Sequence, residues 1–186
     1  MPRMSPRSSA SPAERADPAG PAGSVTSGDF RAALSRWASG ITVVTAAGPQ
    51  GPTGITVSSF ASLSLDPPLV LACIARSSGS HDALVTADGF GVHLLSREQR
   101  ELSAHFARAG IDKFAGLAHE VGPYGAPLLP VGLARLVCAR EAALDGGDHT
   151  ILVGRVTRAE VPELDDLGDP LLHYNRGYRA LADAAD

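Results

Sequence analysis

The sequence has little of what marks several large classes of protein. Among 186 residues only 2 are cysteines and 5% are aromatic, and the N-terminus lacks the apolar segment of a secretory signal. No apolar run approaches the roughly 20 residues of a membrane-spanning helix. The 6 histidines are scattered without metal-ligand spacing. These absences predict a cytoplasmic protein that has no metal site and does not contact a membrane.

The charge of the chain and the motifs that it lacks narrow the expected binding partners further. The net charge is −4, with no basic run or basic amphipathic helix, so nucleic acid and anionic membranes are not expected to bind. No Gly-x-Gly-x-x-Gly follows a predicted strand, which argues against a Rossmann nucleotide domain. A small molecule is therefore the expected ligand.

The chain divides into a tail and one domain. Residues 1–23 are a mixture of Pro, Ala, Ser and Arg without an apolar period, which predicts a disordered segment. The length of residues 24–186 fits a single domain. A first helix is predicted from Ser27, its N-cap, to a stop at Gly40. Its buried face would consist of Phe30, Ala33, Leu34, Trp37 and Ala38.

Apolar runs with strand character outnumber the helical patterns. They lie at residues 41–46, 54–57, 69–75, 90–95, 133–144 and 150–159, and the run at 69–75 is predicted to be covered on both faces. Ser96-x-x-Gln99 has the form of a capping box before another helix. Because the strands are joined as hairpins, we predict a mainly β, α+β fold, an antiparallel barrel with helices outside. Cys73 and Cys138 are interpreted as small core residues.

Two hydroxyl-rich segments are candidates for a ligand site. Residues 54–71 form a corner between strands where main-chain N–H groups and short hydroxyls are exposed to an anionic or carbonyl-rich ligand. Residues 76–81 form a second loop in which Ser80 is a candidate cap of a short helix. An ordinary capped loop is the alternative there. A hydrolase triad of Ser58 or Ser59 with His149 and Asp148 is disfavoured, because no Gly-x-Ser-x-Gly occurs and Asp148 adjoins the histidine that it would orient.

A series of short motifs carries the interpretation further. They are A-S-G-I-T-V-V-T at 38–45, S-F-A-S-L-S-L-D-P-P-L-V-L at 59–71, G-F-G-V-H-L-L at 89–95, L-S with F-A at 102–107, D-K-F-A-G at 112–116, G-D-H at 147–149, and P-L-L-H-Y with Tyr178 near the C-terminus. In this order they resemble the flavin reductase component of two-component flavin-dependent monooxygenases, over residues 30–181.

The resemblance implies a split β-barrel homodimer with a defined activity. It would be an oxidoreductase that reduces FMN or FAD with NADH or NADPH and supplies reduced flavin to a separate oxygenase. Two rivals remain: a flavin or heme carrier or electron-transfer protein that retains its flavin, and an enzyme resembling pyridoxamine-phosphate oxidase. The latter requires a more basic phosphate site than Arg76 and its serine neighbours offer.

The resemblance also implies roles for particular residues. His149 is expected to position the nicotinamide rather than to act as an acid or base, since hydride transfer requires orientation above all. Arg176 is expected to lie on the same side. His105 stands where the family usually has arginine. The flavin contacts implied are Gly54, Ile55, Thr56, Val57, Ser58, Ser59, Cys73, Ile74, Ala75, Ser77, Gly79, Ser80, His105, Phe106 and Lys113, with Tyr174, Asn175 and Arg176 near the dinucleotide.

Overall fold

The structure, a computed structural model, describes residues 25–163 and 168–181, so the predicted tail lies outside the described residues. The helices are α1 (Ser27–Leu34), α2 (His81–Thr86) and α3 (Arg100–Ala107), with 3₁₀ turns at Arg97–Gln99 and Pro123–Gly125. The strands are β1 (Ser39–Gly40), β2 (Thr42–Gly48), β3 (Gly51–Val57), β4 (Ala61–Leu65), β5 (Pro68–Ala75), β6 (Gly89–Leu94), β7 (Glu120–Val121), β8 (Pro127–Leu128), β9 (Ala134–Gly146), β10 (His149–Glu160), β11 (Leu172–Tyr174) and β12 (Gly177–Arg179).

Most strands belong to one antiparallel sheet. Its seven strands lie in the order β3-β2-β6-β9-β10-β5-β4, while β1, β11 and β12 form a three-stranded sheet and β7 pairs with β8. The predicted hairpins β2–β3 and β9–β10 are confirmed. The mainly β, antiparallel character predicted from the sequence is therefore confirmed.

The two edges of the large sheet are consecutive in the chain. Residues 58–60 alone connect β3 to β4, which are the first and last strands of the sheet. Four Cα–Cα steps span at most roughly 15 Å, whereas six strand spacings in a flat sheet would span roughly 29 Å. The sheet must therefore curl until its edges approach each other.

The core fills the inside of this curled sheet. Its main cluster contains Val44, Ile74, Phe90, Val92 and Leu152, each at most 1% exposed. A second cluster lies around Phe106 of α3 and includes Ile41, Leu95, Phe114 and Leu171. Cys138 is fully buried, and burial raises the pKa of its thiol to about 12, which confirms its interpretation as a core residue.

The prediction for the first helix was wrong in its end and in its burial. Helix α1 ends at Leu34 and none of its residues is buried. Its first turn is capped by Thr26, whose hydroxyl accepts from the N–H of Asp29, rather than by Ser27. Beyond it, Trp37 is 74% exposed. The helix stops before Gly40 because Ser35 lies in a turn, where its carbonyl accepts from the N–H of Asn175.

Two further predictions can be compared with the structure. The capping box is present, with Gln99 accepting from the main-chain N–H of Ser96. Strand β5 is not covered on both faces: buried residues alternate with half-buried ones, so one face is only partly covered. Among the described residues no helix is long and apolar enough to cross a bilayer.

Candidate ligand site at the end of strand β5

The corner between β3 and β4 presents exposed serines. Ser58 and Ser59 follow the last paired residue of β3, Val57, and both are exposed. The hydroxyl of Ser59 accepts from the N–H of Cys73 and donates to the carbonyl of Cys73, at 3.1 and 3.0 Å. Ser59 thus satisfies the edge of β5 where β4 has ended.

The main chain of β5 continues past this contact with an open edge. Because main-chain groups alternate in direction along a strand, Ala75 directs its N–H toward the same edge as Cys73. Cys73 and Ala75 are half-buried, whereas the side chain of Ile74 is fully buried. Of this predicted triplet, Ile74 therefore belongs to the core and offers no side-chain contact to a ligand.

The loop after β5 offers donors that the protein does not use. Within the described residues, no hydrogen bond satisfies the N–H groups of Ser77 and Gly79, both exposed. A Cβ built on Gly79 would meet nothing within 4 Å, so space is open in front of it. Neutral N–H groups in a loop of this kind suit a phosphate or another anion.

Ser80 does not act as the predicted helix cap. Its hydroxyl donates to the carbonyl of Gly54 at 2.9 Å and accepts from Thr53 at 3.0 Å, and no side-chain cap bond is present at α2. The only proton of this hydroxyl is donated to the carbonyl of Gly54, and α2 has only 6 residues. Ser80 instead ties the loop to β3.

Several predicted contacts form a packed support behind the corner. Lys113 donates through Nζ to the carbonyls of Gly54 and Phe106, at 2.9 and 2.8 Å, and burial lowers its pKa. Nε2 of His105 lies 2.8 Å from the carbonyl of Lys113. Phe106 is fully buried, and a Cβ on Gly54 would lie 2.8 Å from its ring. The ring of Phe106 fills the core, and its flavin contact stays a prediction.

Other residues of β3 also use their side chains for contacts within the protein. Thr56 donates its hydroxyl to the carbonyl of Ser103 at 2.7 Å, which links β3 to α3. Ile55 is half-buried and Val57 is 7% exposed. Main-chain groups at the end of β3 thus remain the contribution of this strand to a ligand.

His149 stands beside the end of β5. It begins β10 and pairs in register with Ala75 on the side of β5 opposite to β4, and its side chain is half-exposed. Nδ1 lies 2.6 Å from Oδ1 of Asp148. Within the described part of the chain, Nε2 has no hydrogen-bond partner. Asp148 does reach the neighbouring histidine, so the argument that a sequence-adjacent carboxylate cannot orient His149 was wrong.

The last predicted group lies in a different sheet. Asn175 and Arg176 form the turn between β11 and β12, with φ of 49° and 62°, directly after Tyr174. Among the described residues, no hydrogen bond or ion pair joins this turn to that of β9 and β10. Contacts of these residues with a dinucleotide stay a prediction.

Sequence reasoning did not identify the contacts of three residues near the site, Arg76, His81 and Thr150. Nε2 of His81 lies 2.8 Å from the hydroxyl of Thr150, and both side chains are buried. Arg76 donates to the β9–β10 turn. His81 ends a loop that the sequence marks and Thr150 follows His149, but the strand register that brings them together is not visible in the sequence. No group of described residues could hold a metal ion.

The ends of β5 and β10 thus combine unused main-chain donors with a half-exposed histidine, an arrangement that suits a small polar ligand. The chain belongs to the family described as "Flavin reductase like domain", whose model matches residues 34–182. The family predicted from the short motifs is thereby confirmed.

Two related proteins and one solved structure support the same family. The FMN reductase (NADH) SmoA of Agrobacterium fabrum is 50% identical over 149 residues, 80% of this chain and 83% of that protein. The reductase subunit HsaB of a flavin-dependent monooxygenase of Rhodococcus jostii is 38% identical over 153 residues, 82% of this chain and 76% of that protein. The NADH:FAD oxidoreductase SgcE6 of Streptomyces globisporus, solved with NAD and FAD fragments, superposes with a TM-score of 0.78 at 34% identity, covering 94% of this chain and 100% of that chain.

Proposed function

We propose that this chain is a NAD(P)H:flavin oxidoreductase that reduces FMN or FAD and supplies the reduced flavin to a separate oxygenase. One observation carries the proposal: the open edge at Ala75, the unused N–H groups of Ser77 and Gly79, and the exposed His149 lie along one end of β5 and β10. The names of SmoA, HsaB and SgcE6 support the same reaction class.

The donors of the site fit a flavin. Exposed main chain at Ser58 and Ser59 and the edge at Ala75 suit the carbonyl-rich ring, and Ser77 and Gly79 suit the phosphate. When bound, the flavin supplies an acceptor for a hydride and a carrier of two electrons. Neutral N–H donors around such a ring stabilise negative charge that develops during reduction. Gly54, Ser80, His105 and Lys113 act one layer behind and hold this main chain in place.

His149 is assigned to the nicotinamide. Its ring is oriented by Asp148 through Nδ1, which leaves Nε2 directed to a ligand. Hydride transfer requires the donor carbon to approach the acceptor in a fixed orientation, and no proton has to move in the same step. A positioning role therefore suits this side chain better than acid–base catalysis.

We further propose that the curled sheet is a split barrel and that the protein is a homodimer. Strand β4 is an edge of the sheet, and its Leu63 and Leu65 are 49% and 95% exposed. An exposed apolar edge strand favours burial against another chain. Light scattering behind gel filtration measures this state, and a monomer at micromolar concentration would contradict it. The cytoplasmic location and the domain boundary at residue 24 stay predictions.

A crossed assay tests the activity. The protein is mixed without oxygen with FMN or FAD and with NADH or NADPH, and loss of the flavin absorbance is followed for the four pairs. We expect multiple turnovers with at least one pair. A rate equal to that of the protein-free control in all four would contradict the proposal. Flavin that stays bound through gel filtration but is not reduced would favour the carrier instead.

A further inference from the structure

The turn that carries His149 is short and exposed. Strands β9 and β10 pair as far as Gly146 with His149, so only Gly147 and Asp148 form the loop. Gly147 has a φ of 76°, which fits the first central position of a type II′ turn. Both loop residues are exposed, so packing by itself does not fix the position of His149.

Arg76 bonds to this turn through three groups. Its main-chain N–H donates to the carbonyl of Asp148 at 3.0 Å. Its guanidinium donates through Nε to the carbonyl of Gly147 at 3.0 Å and through a terminal nitrogen to Oδ1 of Asp145 at 2.6 Å. One residue at the end of β5 thus bonds to three residues around the turn.

The start of strand β10, directly after the turn, is held by a separate contact. The hydroxyl of Thr150, the residue after His149, lies 2.8 Å from Nε2 of His81, whose side chain is 10% exposed. This contact holds the start of β10 from inside the sheet. Arg76 adds its own contacts to the turn, with Asp145, Gly147 and Asp148.

We propose that Arg76 is a positioning residue for nicotinamide binding, which acts by holding the turn that presents His149. The inference rests on the proposed function of His149. The Arg76 side chain is 47% exposed and that of Asp145 is 82% exposed, so their ion pair contributes little to stability. We expect Arg76 to act on the position of His149, because small displacements of a positioning group weaken the reaction strongly.

A direct role of Arg76 at the flavin phosphate makes different predictions. Arg76 precedes Ser77, so a guanidinium aimed at the phosphate would raise the affinity for FMN but not for riboflavin, which has no phosphate. The observed bonds of the guanidinium to Gly147 and Asp145 favour the turn.

The test compares two arginines at opposite ends of the paired strands β5 and β10. Arg76→Met removes the side-chain contacts with the turn, whereas Arg155→Met removes a similar exposed pair, with Glu141, away from it. We expect Arg76→Met to raise the KM for the nicotinamide about fivefold while kcat and the KM values for FMN and riboflavin stay within about twofold. Arg155→Met should leave all of them unchanged.

A double variant shows whether Arg76 acts through His149. In a His149→Ala background, Arg76→Met should cause no further rise in the nicotinamide KM, since the group that it positions is gone. Additive effects would overturn the proposal. So would an unchanged nicotinamide KM, or a KM that rises for FMN but not for riboflavin.

Amide hydrogen exchange separates this proposal from the proposed activity. Arg76→Met should accelerate exchange at Asp148 and His149 several-fold, and Arg155→Met should not. Unchanged exchange in a protein that reduces flavin would overturn the role of Arg76 alone. A wild-type protein that reduces no flavin would overturn the activity and the nicotinamide role together, while faster exchange would still show that Arg76 holds the turn.

Discussion

His93 and His149 belong to the same seven-stranded sheet but occupy opposite environments. His93 on β6 is 1% exposed, and the main chain uses both of its ring nitrogens: Nδ1 donates to the carbonyl of Val43 and Nε2 accepts from the N–H of Leu129. His149 has a side chain that is 42% exposed, with one nitrogen held by Asp148. A histidine with two main-chain partners can stabilise the fold, whereas one that is oriented through a single nitrogen can also contact a ligand.

The largest effect is expected from removing the buried ring. His93→Ala should lower the free energy of unfolding by about 4 kcal/mol, because it leaves a cavity and two buried main-chain groups without partners. Urea unfolding followed by circular dichroism measures this. The exposed His119→Ala is the control, with an expected loss below about 1 kcal/mol. A similarly small loss for His93→Ala would show that the two regions do not differ in this way.

The second effect is a pH dependence of stability. Burial is the main cause that lowers the pKa of His93 to about 4 from 6.5. Between these values the unfolded state binds a proton that the folded state does not, so stability falls as the pH drops from 6.5 to 4. The contribution is about 3 kcal/mol in total. Urea unfolding of the wild type and His93→Gln across this range should show the steeper fall in the wild type, and parallel curves would contradict it.

A smaller effect is expected behind the site. Lys113 is the only lysine of the sequence, and its ammonium is shared between two carbonyls. Lys113→Met should cost about 1–2 kcal/mol of unfolding free energy. Because Lys113 supports the corner without facing the nicotinamide, the KM for the nicotinamide should stay unchanged. A raised nicotinamide KM with unchanged stability would place Lys113 in the binding site itself.

The smallest effect is expected at Asp148. Asp148→Asn keeps a hydrogen-bond acceptor for Nδ1 of His149 but removes its charge, and we expect the nicotinamide KM to rise about threefold. Asp88→Asn, on an exposed residue that offers its main-chain carbonyl to Arg140, is the control and should have no effect. Equal values for both variants would show that Asp148 does not orient His149.

The sequence was sufficient for six strands, β2, β3, β5, β6, β9 and β10, and for the hairpins β2–β3 and β9–β10. The runs at 133–144 and 150–159 alternate apolar and other residues around a Gly-rich connection, a pattern that predicts a hairpin. The family also followed from short motifs. These signals are local, and each depends on residues that are close in the chain.

The sequence was not sufficient to assign the hydrogen-bond partners of the polar side chains. The resemblance and the loop pattern predict Lys113, His105 and Ser80 as ligand contacts, yet each bonds to a group of its own chain that is distant in the sequence or in another element. The same holds for Arg76, whose contact with Gly147 joins residues 71 positions apart. Helix α1 ends earlier than its apolar period predicts, because such a period does not fix the residue at which a helix stops.

The most direct test of the difference between the two histidines is steady-state reduction of FMN by NADH with the wild type and His149→Ala. We expect the variant to raise the KM for NADH about tenfold, equivalent to about 1.4 kcal/mol, with unchanged KM for FMN and unchanged stability. An unchanged KM for NADH, or an equal rise in both KM values, would contradict the assignment of His149 to the nicotinamide.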